Sequence, residues 1–321
     1  IYTVTITDQN NCTILDSAEI LPGENPVVNV DSVNNVTCFG DGNGMMWTSA
    51  DSGTPPYVFS DDGGVSFFPS GTPFGPSGEV SYFITVVDAL GCTDSDSVHV
   101  TEPGLLQVSS INIQNVSCYD SANGELEAIV TGGTPGYVYT WTDAAATIVA
   151  TTQTATNLIP GNYSVSVTDT NGCPPATFLS VPITQPDSLY ISSLTSTSVL
   201  CNGDSTGTAT VVAAGGTQGS GYSYLWLATG ATTASISNLP IGTYWVTITD
   251  INGCIRDSSI LVTEPDALTT DSIIQDSVIC KGVADGSATV FVSGGVLPYT
   301  YLWDNGDTNS IAINVFAGWH T

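Results

Sequence analysis

Eight cysteines carry most of the chemistry available to this chain: Cys12, Cys38, Cys92, Cys118, Cys173, Cys201, Cys254 and Cys280. None belongs to a Cys-x-x-Cys pair, the spacing that structural zinc sites use, so the pattern points to disulfides. Disulfides place a protein in an oxidising, exported setting. The 30 acidic residues offer carboxylates for cation binding or for glycoside hydrolysis. Candidate calcium ligands are Asp41 and Asn43 in DGNG, Asp304 and Asp307 in DNGD, and the oxygens of the Asp-x-Asn-Gly turns. The two histidines, His99 and His320, stand in no HExxH motif, and neither a GxSxG elbow nor a phosphate loop is present. A carboxylate pair would have to arise in one segment of a repetitive chain, so the sequence is read as non-enzymatic, with no catalytic residue and no cofactor other than candidate calcium.

The cysteines recur in phase with a repeat of about 80 residues. VTCFGDGNG (36–44), VSCYDSANG (116–124), VLCNGDSTG (199–207) and VICKGVADG (278–286) align, as do the endings ITDQNNC (6–12), VVDALGC (86–92), VTDTNGC (167–173) and ITDINGC (248–254). The repeats run 23–103, 104–186 and 187–265. Residues 1–22 read as the C-terminal part of an earlier repeat and 266–321 as the N-terminal part of a later one. On this reading the chain is a stretch of something longer.

The elements that position the cysteines are strands. YFITVVD (82–88), YSVSVTD (163–169) and YWVTITD (244–250) alternate with period two and are rich in Val, Ile, Thr and Tyr. Asn-Gly at 171–172 and 252–253 is a strong hairpin signal. Many short strands with regular turns predict tandem Ig/PKD-like β-sandwiches, all-β. In repeat 104–186 strand A covers Leu105 to Cys118, B is ELEAIV, C is YVYTW, and a middle strand lies near 147–157. F precedes the Asn-Gly turn and G follows it. Trp141, Trp226 and Trp303 on strand C are assigned to the cores, and Tyr82, Tyr163 and Tyr244, opening strand F, to tyrosine corners. Repeat 23–103 departs: Asp61 occupies the tryptophan slot, Trp47 appears on strand B, and a Gly/Pro-rich insert spans 62–79.

Strand geometry prunes the disulfide choices without closing them. The A–B and F–G turns lie at opposite ends of a sandwich, separated by a strand of about 8 residues, roughly 25 Å. A disulfide needs Cα atoms within about 7 Å. Between repeats, the A–B turn of one can meet the F–G turn of the next, pairing Cys38 with Cys173 and Cys118 with Cys254. A different strand order would allow Cys38–Cys92, Cys118–Cys173 and Cys201–Cys254 within repeats. Both schemes stay open at the sequence level.

A net charge of −28, with Arg256 and Lys281 as the only basic residues, excludes nucleic acid and anionic membrane surfaces as partners. An apolar fraction of 41% excludes disorder. No run approaches the ~20 apolar residues of a membrane helix.

The combined pattern Cys201, Gly203, Gly207, Gly215, Gly216, Tyr222, Tyr224, Trp226, Gly242, Tyr244, Asp250, Gly253 and Cys254 resembles the SprB-type repeat of Bacteroidota gliding and cell-surface adhesins. Strands C and F, with YLWDNGD at 301–307, also look like the PKD sandwich. Asn11 in place of glycine and the ending AGWHT (317–321) depart from the pattern. The resemblance implies export by a type IX system, display outside the cell, and adhesion or filament building. Implied partners are other copies of the chain, or surface glycans and proteins. Two alternatives are a shaft subunit of a multi-chain appendage and the stalk of a secreted enzyme. Asp-Ser pairs at Ser17, Ser32, Ser97, Ser121, Ser188, Ser205, Ser272 and Ser277 are similar to the O-glycosylation signal of that phylum, and Asn35 and Asn115 head N-x-S/T triplets.

Overall fold

The computed structural model describes residues 1–69, 72, 74–75, 77–219 and 221–318. His320 lies outside them. The described residues contain strands and turns and no helix, so the described chain is all-β. Two compact units are present, Ile1–Gln114 with Glu125–Thr156 and Gly161–Pro182, and Asn115–Gly124 with Asn157–Pro160 and Ile183–Thr321.

The first unit opens with an antiparallel hairpin, β1 (Tyr2–Thr7) and β2 (Thr13–Ala18). Repeat 23–103 follows as two sheets. One pairs β3 (Val27–Asn34) with β4 (Met45–Asp51), and the other runs β6-β5-β7-β8, from β5 (Val58–Ser60), β6 (Phe68–Pro69), β7 (Val80–Val87) and β8 (Thr93–Val100). Repeat 104–186 supplies β9 (Gln107–Gln114), β10 (Gly124–Thr131), β11 (Val138–Asp143), β12 (Ile148–Ala150), β13 (Thr154–Leu158), β14 (Gly161–Thr168) and β15 (Ala176–Ile183). They form the sheets β13-β10-β9 and β12-β11-β14-β15. Strand A is shorter than its apolar run suggests. It leaves β10 after Gln114, and the Val116 amide bonds the Thr184 carbonyl instead. The same switch recurs at Val36 to Thr101 and Val199 to Thr263, which carries the following cysteine away from the first sheet.

In the second unit, repeat 187–265 has β16 (Tyr190–Thr197), β17 (Gly207–Ala214), β18 (Ser223–Trp226), β19 (Ser235–Leu239), β20 (Gly242–Thr249) and β21 (Ile255–Val262), ordered β16-β17-β19 and β18-β20-β21. Residues 266–318 give one sheet, β22-β23-β24, from β22 (Thr269–Asp276), β23 (Gly286–Ser293) and β24 (Ile311–Val315).

Alternation along the strands builds each core. In repeat 187–265, Val211, Trp226, Tyr244, Val246, Ile248 and Val262 are buried together. The Trp226 indole N–H donates to the Thr233 carbonyl at 3.0 Å, Trp141 does the same to Thr152 at 3.0 Å, and Trp303 to Asn309 at 2.9 Å. All three rings are buried, and each satisfies its one polar atom locally. Repeat 23–103 solves the same packing problem differently. Asp61 is half-buried, and Phe59, Met46 and Phe74 are buried in the core, with Phe74 from the insert edge-on to Phe68 at 4.1 Å.

Tyrosines lock the turns. Tyr244 Oη donates to the Pro240 carbonyl at 2.9 Å and Tyr82 Oη to Ser77 at 3.2 Å, while Tyr163 is buried. A second set, Tyr137, Tyr222 and Tyr299, donates to the carbonyls of Gly132, Gly215 and Gly294. These glycines have φ of +71°, +74° and +74°, and a Cβ on Gly215 would lie 2.0 Å from the Ser188 carbonyl oxygen. Only glycine fits there.

Truncating Trp226 to alanine removes the largest side chain of this core. We expect a loss of about 3–5 kcal/mol, read by hydrogen exchange of the β16–β21 amides, with the amides of repeat 23–103 unchanged.

Candidate functional site: the stapled repeat junction

The junction is assembled from two turns. The A–B turn bears the first cysteine of each repeat. A side chain six residues on closes it: the Thr37 amide donates to Asn43 Oδ1 at 3.0 Å, Ser117 to Asn123 Oδ1 at 3.0 Å, Leu200 to Thr206 Oγ1 at 2.7 Å and Ile279 to Asp285 Oδ1 at 3.1 Å. The side chain preceding each junction proline clamps the far side. Glu102, Gln185 and Glu264 accept from the amides of Gly40, Asp120 and Gly203.

The F–G turn bears the second cysteine and is organised by a buried aspartate. Asp169 Oδ1 accepts from the Cys173 amide at 2.9 Å, and Asp169 Oδ2 from the Thr134 amide at 2.9 Å in the B–C turn. Asp250 repeats this with Cys254 at 2.9 Å and Thr217 at 2.8 Å, and Asp88 with Cys92 at 2.8 Å and Thr54 at 2.9 Å. The Thr54 amide leads the hydrogen bonds that hold the Asp88 carboxyl below the usual carboxylate range. For Asp169 burial pushes the pKa up, but the amides of Thr134, Cys173, Asn171 and Gly172 together outweigh it and leave the pKa lowered.

The turns meet between successive repeats. In the first unit Cys38 is bonded to Cys173 with Cα atoms 5.5 Å apart, and in the second Cys118 is bonded to Cys254 at 5.7 Å. Both distances are ordinary for a disulfide. An asparagine completes each junction. Asn171 Nδ2 donates to the Thr37 carbonyl at 2.9 Å and to Thr134 Oγ1 at 3.0 Å, and Asn252 Nδ2 to the Ser117 carbonyl at 3.0 Å and Thr217 Oγ1 at 3.1 Å. Phe39, Gly104, Leu105, Leu106, Gly133 and Pro174 surround the first bond and leave a cleft of only about 50 Å³. The structure does not join Cys38 to Cys92, Cys118 to Cys173 or Cys201 to Cys254. Cys12, Cys92, Cys201 and Cys280 are free thiols.

The other sequence-derived sites are scattered. Asn43 Nδ2 bonds Thr37 Oγ1 and Asp41, and Asp307 accepts from the Ile313 amide and Asn305. Asp304 stands in the same turn as Asp307. Among the described residues no three His, Cys, Asp or Glu side chains are grouped to hold a metal ion. The Asp-Ser serines are exposed apart from Ser121, which is half-buried. Asn35 and Asn115 side chains accept from the Thr101 and Thr184 amides. His99 is exposed, near Ser81 and Glu79. The aspartate and asparagine of the F–G turn and the clamp at 102, 185 and 264 are the junction residues that composition alone does not flag. Their signal is recurrence at one phase of the repeat.

The SprB repeat family model matches residues 110–146, 193–232 and 272–308. These three stretches are similar to the SprB repeat. Each match begins in strand A and contains the tryptophan, which lies on strand C at Trp141 and Trp226 but outside any strand at Trp303, contrary to the sequence expectation, whereas 23–103, with Asp61 in that slot, is unmatched. No curated protein matches the chain in sequence. Among solved structures, the chain is similar to three N-terminal domains of the highly immunogenic outer capsid protein (Hoc) of bacteriophage RB49. Identity is 15%, covering 75% of this chain and 95% of that one, with a TM-score of 0.38. It is also similar to immunoglobulin domains 1–5 of Sidekick-1, at 11% identity, 88% and 68% coverage and a TM-score of 0.28.

Two outcomes follow. A non-reducing peptide map should recover Cys38–Cys173 and Cys118–Cys254, and Cys118→Ser should cost about 2–4 kcal/mol of stability, measured by chemical denaturation. The Asp88 and Asp169 pKa values are lowered on folding, so their stabilisation is complete above the ordinary carboxylate range and is lost as pH falls through the folded values. Asp169→Asn should therefore melt below the parent at pH ~7, with the gap closing below about pH 4, in paired thermal scans.

Proposed function

We propose that this chain is a stretch of an exported repeat protein that builds a cell-surface fibre serving adhesion or gliding. The observation that carries the reading is the pair of disulfides that tie successive repeats together, three of which contain stretches similar to the SprB repeat. A non-catalytic module gains from such bonds when it must hold its place against a neighbour under load. Disulfides need an oxidising compartment, which accords with display outside the cell after type IX export. Adhesion by an array works through many weak contacts, to surface glycans or proteins, whose combined strength exceeds any single site. The charge of −28 keeps neighbouring chains soluble and apart.

One observation favours a second reading, a structural shaft of several chains. On the outer face of β18-β20-β21, Leu225, Leu227, Trp245, Ile255 and Leu261 are all exposed. A row of this kind on a solvated stalk has no use, whereas a shaft needs it for lateral packing.

Immunogold labelling of intact producing cells with antibody against residues 104–265 tests both. Label along thin surface threads, with the same antibody blocking attachment or movement, is the outcome for an adhesive fibre. Label along thick bundles, with Trp245→Asp dispersing them, would replace it with the shaft. Label confined to the cell interior would end both readings.

A further inference from the structure

Asparagine followed by glycine is a dipeptide open to self-modification, because glycine puts no Cβ in the way when its amide nitrogen approaches the asparagine side chain. The F–G turn of each stapled junction contains it. Asn171-Gly172 and Asn252-Gly253 stand directly before the bonded cysteines. Both asparagines and both glycines are exposed. A Cβ placed on either glycine would meet nothing within 4 Å, so no neighbour bars ring closure or the entry of water.

The junction itself restrains them. Asn171 Nδ2 donates to the Thr37 carbonyl of the preceding repeat and to Thr134 Oγ1, and Asn252 Nδ2 donates in the same way to Ser117 and Thr217. A side-chain amide tied by two hydrogen bonds cannot swing its carbon toward the next backbone nitrogen. That nitrogen is engaged as well: Gly172 donates to the Asp169 carbonyl at 3.2 Å and Gly253 to the Asp250 carbonyl at 3.1 Å. The glycine bonds are local to the turn. The bonds to Thr37 and Ser117 come from the neighbouring repeat and last only while the junction is closed. Three other Asn-Gly pairs differ in this respect, since Asn43, Asn123 and Asn305 bond Thr37, Ser117 and Asp307 within their own turns.

We propose that Asn171 and Asn252 are deamidation sites latched by the stapled junction and released when it opens, and that the product hinders reclosure. In the open state the Gly172 nitrogen bonds to Cγ of Asn171 and gives up its proton. The side-chain nitrogen takes that proton and leaves as ammonia, which closes a five-membered succinimide. Water then opens the ring at either carbonyl, giving aspartate or isoaspartate. The step needs neither oxidant nor enzyme. Either product puts a carboxylate oxygen where Nδ2 stood, so two acceptors face each other at the Thr37 carbonyl with no proton between them. The new charge arises two residues from Asp169, whose carboxylate already gathers the amides of this turn. Isoaspartate also adds a carbon to the main chain of the turn that places Cys173. An opened junction therefore has a limited time in which to close. The proposal stands on the junction geometry and is independent of what the fibre adheres to.

The test follows ammonia loss at each site by peptide mapping of full chains held in mildly alkaline buffer. In Cys38→Ser with Cys173→Ser, deamidation at Asn171 should rise about tenfold over the parent while Asn252 keeps the parent rate; in Cys118→Ser with Cys254→Ser the two sites should exchange roles. Asn305-Gly306 is the internal reference and should not change. Thr134→Val keeps the disulfide and the amide that reaches Asp169, and should raise the rate at Asn171 about threefold. If a serine pair unfolds its chain, Asn305 rises with the rest and Thr134→Val decides instead. For the product, Asn171→Asp is reduced and reoxidised in a glutathione couple. Recovery of Cys38–Cys173 should fall about five-fold, with Cys118–Cys254 recovered as in the parent. Parent rates at Asn171 in a folded serine pair or in Thr134→Val, a joint rise of Asn171 and Asn252 in either folded pair, or full recovery of Cys38–Cys173 in Asn171→Asp would overturn the proposal.

Discussion

The carboxylate of the F–G turn, at Asp88, Asp169 and Asp250, is the constraint on which the rest of each repeat depends. One oxygen gathers the amides of its own turn and the other reaches an amide of the B–C turn, so a single side chain fixes two loops from different hairpins. The partners are backbone amides and not cations. In a chain with two basic residues, a negative group can be buried only by surrounding it with N–H donors. Because the loop holding the cysteine is rigid before any disulfide forms, the sulfur is already placed for its partner. The A–B turn is prepared in the same spirit by a side chain six residues on and by the clamp at Glu102, Gln185 or Glu264.

Scarcity of positive charge shapes the whole molecule. Among the described residues the one contact of this kind, His99 with Glu79 at 3.8 Å, is an ion pair only when the histidine is protonated. Cohesion therefore rests on apolar cores, on hydroxyl and amide hydrogen bonds, and on sulfur–sulfur bonds. The tyrosine locks on Gly132, Gly215 and Gly294 belong to this economy, since each uses a neutral donor on a carbonyl that no cation could serve. Repeat 23–103 shows the tolerance of the scheme. With Asp61 in the strand-C tryptophan slot, its core takes in Phe74 from the insertion, so a packed apolar cluster forms without the sequence pattern.

The fold class was legible because strand alternation and phase are local signals. Tyr163, Val165 and Val167 announce a half-buried strand whatever surrounds them. The disulfide partners were legible only down to a choice. Spacing could not separate Cys38–Cys173 from Cys38–Cys92, since that depends on which ends of two sandwiches abut. The extent of strand A misled, because its apolar run continues through Val116 while its hydrogen bonds change sheets. The double role of Asp169 was invisible for a similar reason: Thr134, its second partner, is 35 residues away. Asn171 reaches still further, to Thr37 in the preceding repeat.

The interleaving of the two disulfides has a mechanical meaning. Cys38–Cys173 and Cys118–Cys254 overlap, so no stretch between residues 38 and 254 lies outside a covalent loop. If traction unravelled every strand between them, the load would pass through the shortest route, across Cys38–Cys173, back along the chain to Cys118 and across to Cys254. That route contains about 55 residues, roughly 190 Å of extended chain, where the unlinked polypeptide would pay out roughly 760 Å. The linkage acts as a tether with a built-in stop: a repeat can yield without the strand lengthening far, and it remains beside the neighbours against which it must refold.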